Sequence, residues 1–441
     1  MKKRIISTLL MGAMALSLVA CGGTNDAGKD STQGKAASSG DGKTLTVWCW
    51  DAFNMDAMKD AAAIYQKDHP DVTIDVQETL SNDVQTLVQT YAMSGTLDSL
   101  PDIFLMDDQV FSKYLQNYPE VFADLTDSGI NFDDFAPSKV SNSVVDGKNY
   151  GIPYDSNTVI ACYRTDYLEK AGYTVEDMTD ITWDQFIKIG EDVLDKTGMP
   201  MLTNVQGEPD LLNMILQSAG VSVFDENGKI ALTDNEGLKE AMNVYVELVQ
   251  KGILQEQTDW SGYQGSINNG TVVGTINGSW ICSTIMSTDQ AEQSGNWAVT
   301  NMPKLNDYAG ATNYSAQGGS TWAISSNCKN YDLAVDFFKS TWDGSTEFYD
   351  QILTDLGAIA TYLPAADSDA YNKPSEYFGN EAIYSKIVSY GSNIPTINKG
   401  IYWKEEKEAL GVALSKIIAG DSDMDAAIKE AQDTVEFTVG N

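Results

Sequence analysis

The chain has 441 residues but a single histidine, His69, which stands beside Pro70 and far from any other candidate ligand. That scarcity argues against histidine-rich zinc sites and against a Ser-His-Asp triad built elsewhere in the chain. Positive charge is also scarce: 28 Lys and Arg face 63 Asp and Glu, for a net charge of −35. Such a surface repels a polyanion, so nucleic acid is not an expected partner. The five cysteines (Cys21, Cys49, Cys162, Cys282 and Cys328) form no C-x-x-C pair, which removes a zinc knuckle and a thioredoxin-type motif. Cys49 and Cys162 lie in apolar strand-like runs and read as small hydrophobes in preference to disulfide partners. Beyond the N-terminus no stretch is apolar enough to cross a membrane. Gly-x-Ser-x-Gly, P-loop and dinucleotide fingerprints are missing, as is any short internal repeat.

What is present begins with a basic start, an apolar run from Ile5 and small residues before position 20, the pattern of a secretory leader over residues 1–20. It ends in Leu18-Val19-Ala20-Cys21, which resembles the lipobox of bacterial lipoproteins. The resemblance implies cleavage before Cys21, a lipid on that cysteine, and an extracytoplasmic protein anchored to the cell membrane. Loss of Lys2, Lys3 and Arg4 with the leader would take the net charge from −35 to about −38. Residues 21–43, rich in Gly, Ser, Thr, Lys and Asp, read as the lipidated cysteine and a flexible tether reaching about 25 Å.

With 42% hydrophobic residues, the remainder can bury a large core, and its length suggests two domains or lobes. The first strand, from Thr44, puts Leu45, Val47 and Cys49 on one face and Trp48 and Trp50 on the other. Being apolar on both faces, it suits the middle of a mostly parallel sheet covered by helices. Asn54 is placed to cap the following helix, and Asn82 the next, with Gly95 ending the latter. Strands at Val72–Glu78 and Pro101–Met106 complete a βαβαβ unit, whose strand ends bring Trp50, Asp51, Glu78, Asp107 and Asp108 to one rim. Further on, Thr182-Trp183-Asp184-Gln185 reads as a capping box and Thr233 with Glu236 as a cap. Asp225 to Gly228 reads as a hairpin turn, and strands are expected at Thr271–Ile276 and Trp322–Ile324. Asp421, Asp423 and Asp425 lack the glycine and closing glutamate of a calcium loop and read as helix capping.

Five stretches in order resemble one known family: Pro101-Asp102-Ile103; Gly151-Ile152-Pro153-Tyr154 with the Tyr163 strand; Thr182 to Phe186; Ile276-Asn277-Gly278-Ser279-Trp280; and Gly318-Gly319-Ser320-Thr321-Trp322-Ala323-Ile324. Together with the closing helices around Ala419-Gly420 and Ala426–Ala431, they resemble the extracellular solute-binding proteins of ABC importers, in the sugar-binding family that includes maltose-binding protein. The resemblance implies an α/β, two-lobed periplasmic-binding-protein-like fold of class II. Each lobe would be a mostly parallel sheet flanked by helices, joined to the other by hinge crossovers. Residues 44–158 with 303–363 would form lobe one, and 159–302 with 364–441 lobe two. It further implies a non-enzymatic monomer without cofactor or metal, whose partners are a mono- or oligosaccharide, the transmembrane permease subunits of an ABC transporter, and the membrane through its lipid. The family's Tyr-Asn-Lys after the hinge strand is Tyr163-Arg164-Thr165 here, a local departure.

A sugar offers apolar C–H faces and a rim of hydroxyls, so its site needs flat rings to stack on and carboxylates or amides to bond. Trp50, Trp260, Trp280 and Trp403 each stand at or beside a strand end, turn or helix start. The resemblance gives Trp280 a ligand-stacking position and carries Asn277 with it. Trp183 and Trp342 read as core or lobe surface. Asp51, Asp107 and Asp108 are candidate rim carboxylates, with helix capping as the plain alternative. Tyr154 and Asp155 fall at the expected crossover, and Gly318 and Gly319 would let backbone approach a ligand. Two other readings stay open: a same-fold binder of a solute such as a polyamine, and a surface glycoside hydrolase using a carboxylate pair.

Overall fold

A computed structural model describes residues 40–50, 52–225, 227–287, 292–306 and 308–439. The leader, Cys21, most of the tether and Asp51 lie outside the described residues. Ordered contacts begin slightly before Thr44, with the Gly40 N–H donating to the Lys329 carbonyl.

Strand β1 (Thr44–Cys49) leads through α1 (Ala52–Tyr65) to β2 (Thr73–Glu78), then through α2 (Ser81–Ser94) to β3 (Ile103–Asp107) and α3 (Asp108–Asn117). β1 pairs in parallel with both β2 and β3, so the ends of all three strands share one edge. Leu45, Val47 and Cys49 are fully buried in one core, while Trp48 packs against a second core on the opposite face containing Val84, Val88, Phe104 and Met106. The two expected asparagine caps do not form. Asn54 sits inside α1 and donates from Nδ2 back to the Trp50 carbonyl at 3.0 Å, and Leu80 occupies the cap position of α2 without a side-chain bond. Gly95 does end α2, at φ 69°.

The chain continues through α4 (Pro137–Val140), the small hairpin β4 (Val144–Val145) and β5 (Lys148–Asn149), and β6 (Ile152–Pro153) into β7 (Val159–Arg164). There follow α5 (Thr165–Ala171), α6 (Trp183–Thr197), β8 (Leu202–Val205), α7 (Asp210–Ser218), α8 (Glu236–Gln250), β9 (Leu254–Gln257), α9 (Trp260–Asn268), β10 (Gly274–Gly278), α10 (Ile281–Met286) and β11 (Trp297–Thr300). The Thr182–Gln185 capping box opens α6, but α8 is capped by Asn235, not Thr233. The last elements are β12 (Ser320–Ile324), α11 (Tyr331–Ser340), α12 (Thr346–Leu356), α13 (Ile383–Gly391), α14 (Trp403–Ala419) and α15 (Met424–Val439).

Two main sheets result, ordered β2-β1-β3-β12-β6 and β10-β7-β11, with β8 and β9 paired in parallel beside them. Neither main sheet is parallel throughout: β12 runs against β3 and β6, and β7 runs against β10 and β11. The reversed strand in each sheet is one that the chain enters straight from a passage between sheets, where no helix has turned it round. Trp183 and Trp342 are fully buried, as are the thiols of Cys49, Cys162 and Cys282, and Cys328 nearly so. At the C-terminus Asp423 accepts from the Ala426 N–H at 2.8 Å, which is helix capping.

Candidate functional site

Three segments run side by side between the sheets. Asp155 bridges Ala360, Thr158 bridges Ala316, and the N–H groups of Ser156 and Gln317 donate to the carbonyls of Ile359 (2.9 Å) and Asn157 (2.8 Å). Residues 315–317, the returning passage, therefore run alongside residues 157–159. Lys304 and Thr312 still donate from their backbone N–H groups to the carbonyls of Ile181 and Ser218, on the β7–β11 side of the molecule.

At one end of these passages lies a buried charge cluster. Lys139, fully buried on α4, pairs with Asp108 and reaches Asp155 Oδ1 at 3.5 Å. Asp108 Oδ1 accepts from Thr321 Oγ1 at 2.6 Å, and Asp155 Oδ1 accepts from the Ser320 N–H at 2.7 Å. Burial raises the Asp155 carboxyl above the usual range, against the pull of the Lys139 charge. Gly319 passes over the cluster at φ 100°, and a Cβ there would stand 2.6 Å from Lys139 Nζ and 2.7 Å from Asp108 Oδ2. Close approach does explain this glycine, but to the ion cluster. Asp108, expected as a rim carboxylate, and Asp155, expected at the crossover, are thus both paired with Lys139. Nothing in the pattern around Lys139 singles it out, since Pro137–Val140 is too short to show a period.

Asp107 caps α3, accepting from the Gln109 N–H at 2.8 Å. Its carboxyl is pushed up to about 6 by burial, with the Gln109 bond pulling the other way. It borders a cavity of about 460 Å³, lined by Gln85, Asp107 and Gln109 on one side and by Glu208, Lys404 and Lys407 on the other. Lys407 lies 2.6 Å from Asp210 and 3.2 Å from Glu208, and Lys113 on α3 spans to Glu405 on α14 at 2.6 Å. No motif or period in the sequence singles these lysines out.

Against the same passage, at the residues just before Gly319, stands an aromatic wall. Trp260, 43% exposed, stacks on Tyr263 at 4.7 Å between centroids and leans on Trp280 at 5.6 Å. Trp280 Nε1 donates to the Gln317 carbonyl at 3.3 Å, so the indole rests on the returning passage. Glycine is required beneath it: a Cβ on Gly278 would stand 2.3 Å from that nitrogen, and one on Gly318 3.3 Å. Asn277 is buried and acts as a strut, donating from Nδ2 to Tyr263 Oη at 2.8 Å and accepting the Gly278 N–H at 2.9 Å.

The structure does not bring every expected residue to this surface. Tyr154 is core: its ring is 1% exposed and packs against Trp322 and Trp342, because β6 turns it inward beside β12. Trp50 is half-buried against the first core, on which Trp280 also packs. Trp403 is 6% exposed in a separate core that includes Phe186 and Leu410, with Lys399 Nζ 5.5 Å above its ring. Burial lowers the Lys399 ammonium below its usual range, opposed by the charge of Asp108.

Residues 60–379 match the family described as bacterial extracellular solute-binding protein. A lactose-binding protein of Rhizobium radiobacter is 36% identical over 390 residues, covering 88% of this chain and 91% of its own. An arabinooligosaccharide-binding protein of Halalkalibacterium halodurans is 22% identical, covering 89% and 88%. Among solved structures, the sugar-binding protein MalE of Xanthomonas citri superposes with a TM-score of 0.76 at 17% identity, covering 90% and 98%. The galacto-N-biose-/lacto-N-biose I-binding protein of Bifidobacterium longum does so at 0.71 and 21% identity, covering 90% and 97%.

Proposed function

The chain belongs to the bacterial extracellular solute-binding proteins, and on that premise we propose that it captures a saccharide between its two lobes and delivers it to the permease of an ABC importer. The observation that carries this reading is the wall of Trp260 and Trp280, a broad indole surface left open to solvent beside the passages. Indole faces match the C–H faces of a pyranose, and they would hold a neutral ring without needing charge. The relatives named for lactose and arabinooligosaccharides support the same ligand class.

Lobe one would comprise residues 44–158 with about 320–358, and lobe two the remainder to 441, the three adjacent passages serving as the hinge. Solute would enter an open form, and contacts from both lobes would favour the closed one. Turnover is not part of this reading. Retaining hydrolysis needs two free carboxyl groups about 5–5.5 Å apart at the sugar, whereas Asp108 and Asp155 are held by Lys139 and Asp107 by a helix terminus. The lipid on Cys21, inferred from Leu18-Val19-Ala20-Cys21, would hold the protein at the outer face of the membrane.

Titration calorimetry of the purified mature chain against lactose, galactobiose, arabinobiose, maltose and spermidine tests the proposal. One or more sugars should bind and be recovered intact. Binding of spermidine alone, or cleavage of a bound sugar, would overturn it.

A further inference from the structure

Trp260 opens α9 directly after the cap Asp259, whose side chain accepts from the Gly262 N–H at 2.8 Å. An indole at that place, 43% exposed, keeps the rotamer freedom of a surface side chain unless something holds it. What holds it stands one turn along the helix. Tyr263, at i+3, is 2% exposed and stacks on Trp260 with the ring planes 17° apart. The Tyr263 ring is in turn fixed by its hydroxyl. Thr275 and Asn277 alternate onto one face of β10, and both meet Tyr263 Oη. Asn277 Nδ2 donates to it at 2.8 Å, and Thr275 Oγ1 lies 2.6 Å away. Because the Gly278 N–H donates to Asn277 Oδ1 at 2.9 Å, the amide turns its NH2 toward the tyrosine. The phenol accepts there and donates to Thr275. Burial pushes its ionisation up to about 12, against the pull of the Asn277 and Thr275 bonds, so the hydroxyl keeps that proton at neutral pH.

A buried polar chain with every member satisfied specifies one arrangement of the side chains it joins. Here the arrangement reaches the surface through the stack: one face of the Trp260 indole is covered by Tyr263, and its plane stands 52° from that of Trp280. We infer that Tyr263, clamped by Asn277 and Thr275, is a positioning residue that orders Trp260 beside Trp280 before a sugar arrives, an inference that rests on the saccharide reading above. Tyr263 and Thr275 are buried, so they act through Trp260 and not by touching the ligand. A ring ordered in advance spares the ligand the entropy of ordering it, which for one side chain amounts to roughly two- to tenfold in affinity.

The test is a double-mutant cycle on the mature chain, read by calorimetry with lactose or the tightest sugar of the panel. Its members are the parent, Trp260→Ala, Tyr263→Leu and the double variant, each verified as folded by a urea melt. Tyr263→Leu should weaken binding about fivefold in the parent and leave it unchanged once Trp260 is absent. Tyr263→Phe, which keeps the stack, should restore most of that loss. Thr275→Val, which keeps the shape and removes the bond, should weaken binding about twofold with the same dependence on Trp260, and it carries the cycle if Tyr263→Leu does not fold. Near-ultraviolet circular dichroism gives a reading without sugar. The Trp260 signal, each background minus its Trp260→Ala counterpart, should collapse in Tyr263→Leu and persist in Tyr263→Phe. No loss of affinity, an equal loss with and without Trp260, or a full Trp260 signal in Tyr263→Leu would reduce Tyr263 to packing and overturn the inference, leaving the saccharide reading standing. Trp260→Ala binding like the parent would overturn it as well. A parent that takes no sugar overturns the saccharide reading and this role with it.

Discussion

Trp280 is tied to Gln317: its indole N–H donates to the Gln317 carbonyl at 3.3 Å, joining a ring at the end of β10 to the returning passage. A ring held on backbone is fixed in place, as the proposed stacking role requires.

Replacing Trp280 with Ala should therefore weaken saccharide binding roughly tenfold to a hundredfold, on the order of 1–3 kcal/mol of lost stacking. Calorimetry beside a denaturant melt separates this from a packing role. A variant that melts early yet binds sugar like the parent, while folded, removes Trp280 from the site.

The Lys139 cluster sets stability more than affinity. Lys139→Met leaves Asp108 and Asp155 buried without their cation, a change that costs about 3–5 kcal/mol. Gly319→Ala adds a Cβ at φ 100° into the same cluster and should cost about 1–3 kcal/mol from backbone strain alone, with the contact adding to it. Urea midpoints for both variants, compared with Ser389→Ala on the exposed face of α13, check the ordering.

Glu406 gives stability a pH slope of defined sign. Its carboxyl stands near 8 in the folded protein against 4.5 in a free chain, so the folded state binds the proton more tightly. The stability it contributes is full below about pH 4.5 and is lost as pH rises through 8, a swing of order 4–5 kcal/mol. Melts of the parent and Glu406→Gln across pH 4–9 should differ by a curve of that shape, the variant gaining relative to the parent as pH rises. A constant difference across the range would mean that the carboxyl is not shifted.

Lys113 and Glu405 join α3 to α14 at 2.6 Å, with side chains 30% and 21% exposed. Partial exposure limits such a pair to about 1 kcal/mol or less. Lys113→Ala should leave the fold intact, favour the open form modestly, and raise the radius of gyration of the sugar-free protein in small-angle scattering. Saturating sugar should contract parent and variant to the same value. No contraction of either on binding would count against lobe closure.

Cys21→Ala should leave the folded part unchanged and release the protein from the membrane, or stall it with its leader uncut. A variant processed and retained like the parent would remove the lipid anchor.

Much of the fold is legible along the chain because its causes are local or periodic. The alternation of Leu45, Val47 and Cys49 announces a strand, Thr182 and Gln185 a helix start, and Gly95 and Gly420 helix ends. Trp280 after its glycine turn is legible too, because Gly278 answers to a contact with the next aromatic residue. Other features depend on partners far away in sequence. Asp108 looks like a rim carboxylate and Asp155 like a crossover residue until tertiary packing sets Lys139 between them, and Gly319 looks ready for a ligand until that cluster lies beneath it. Tyr154 and Trp403 carry the right chemistry for a site, but only the crossing of β6 with β12 and the packing of α14 decide that one is core and the other enclosed. The physical reason is range: hydrogen bonding and apolar period act within a turn or a strand, whereas burial and charge pairing depend on what the folded chain brings close.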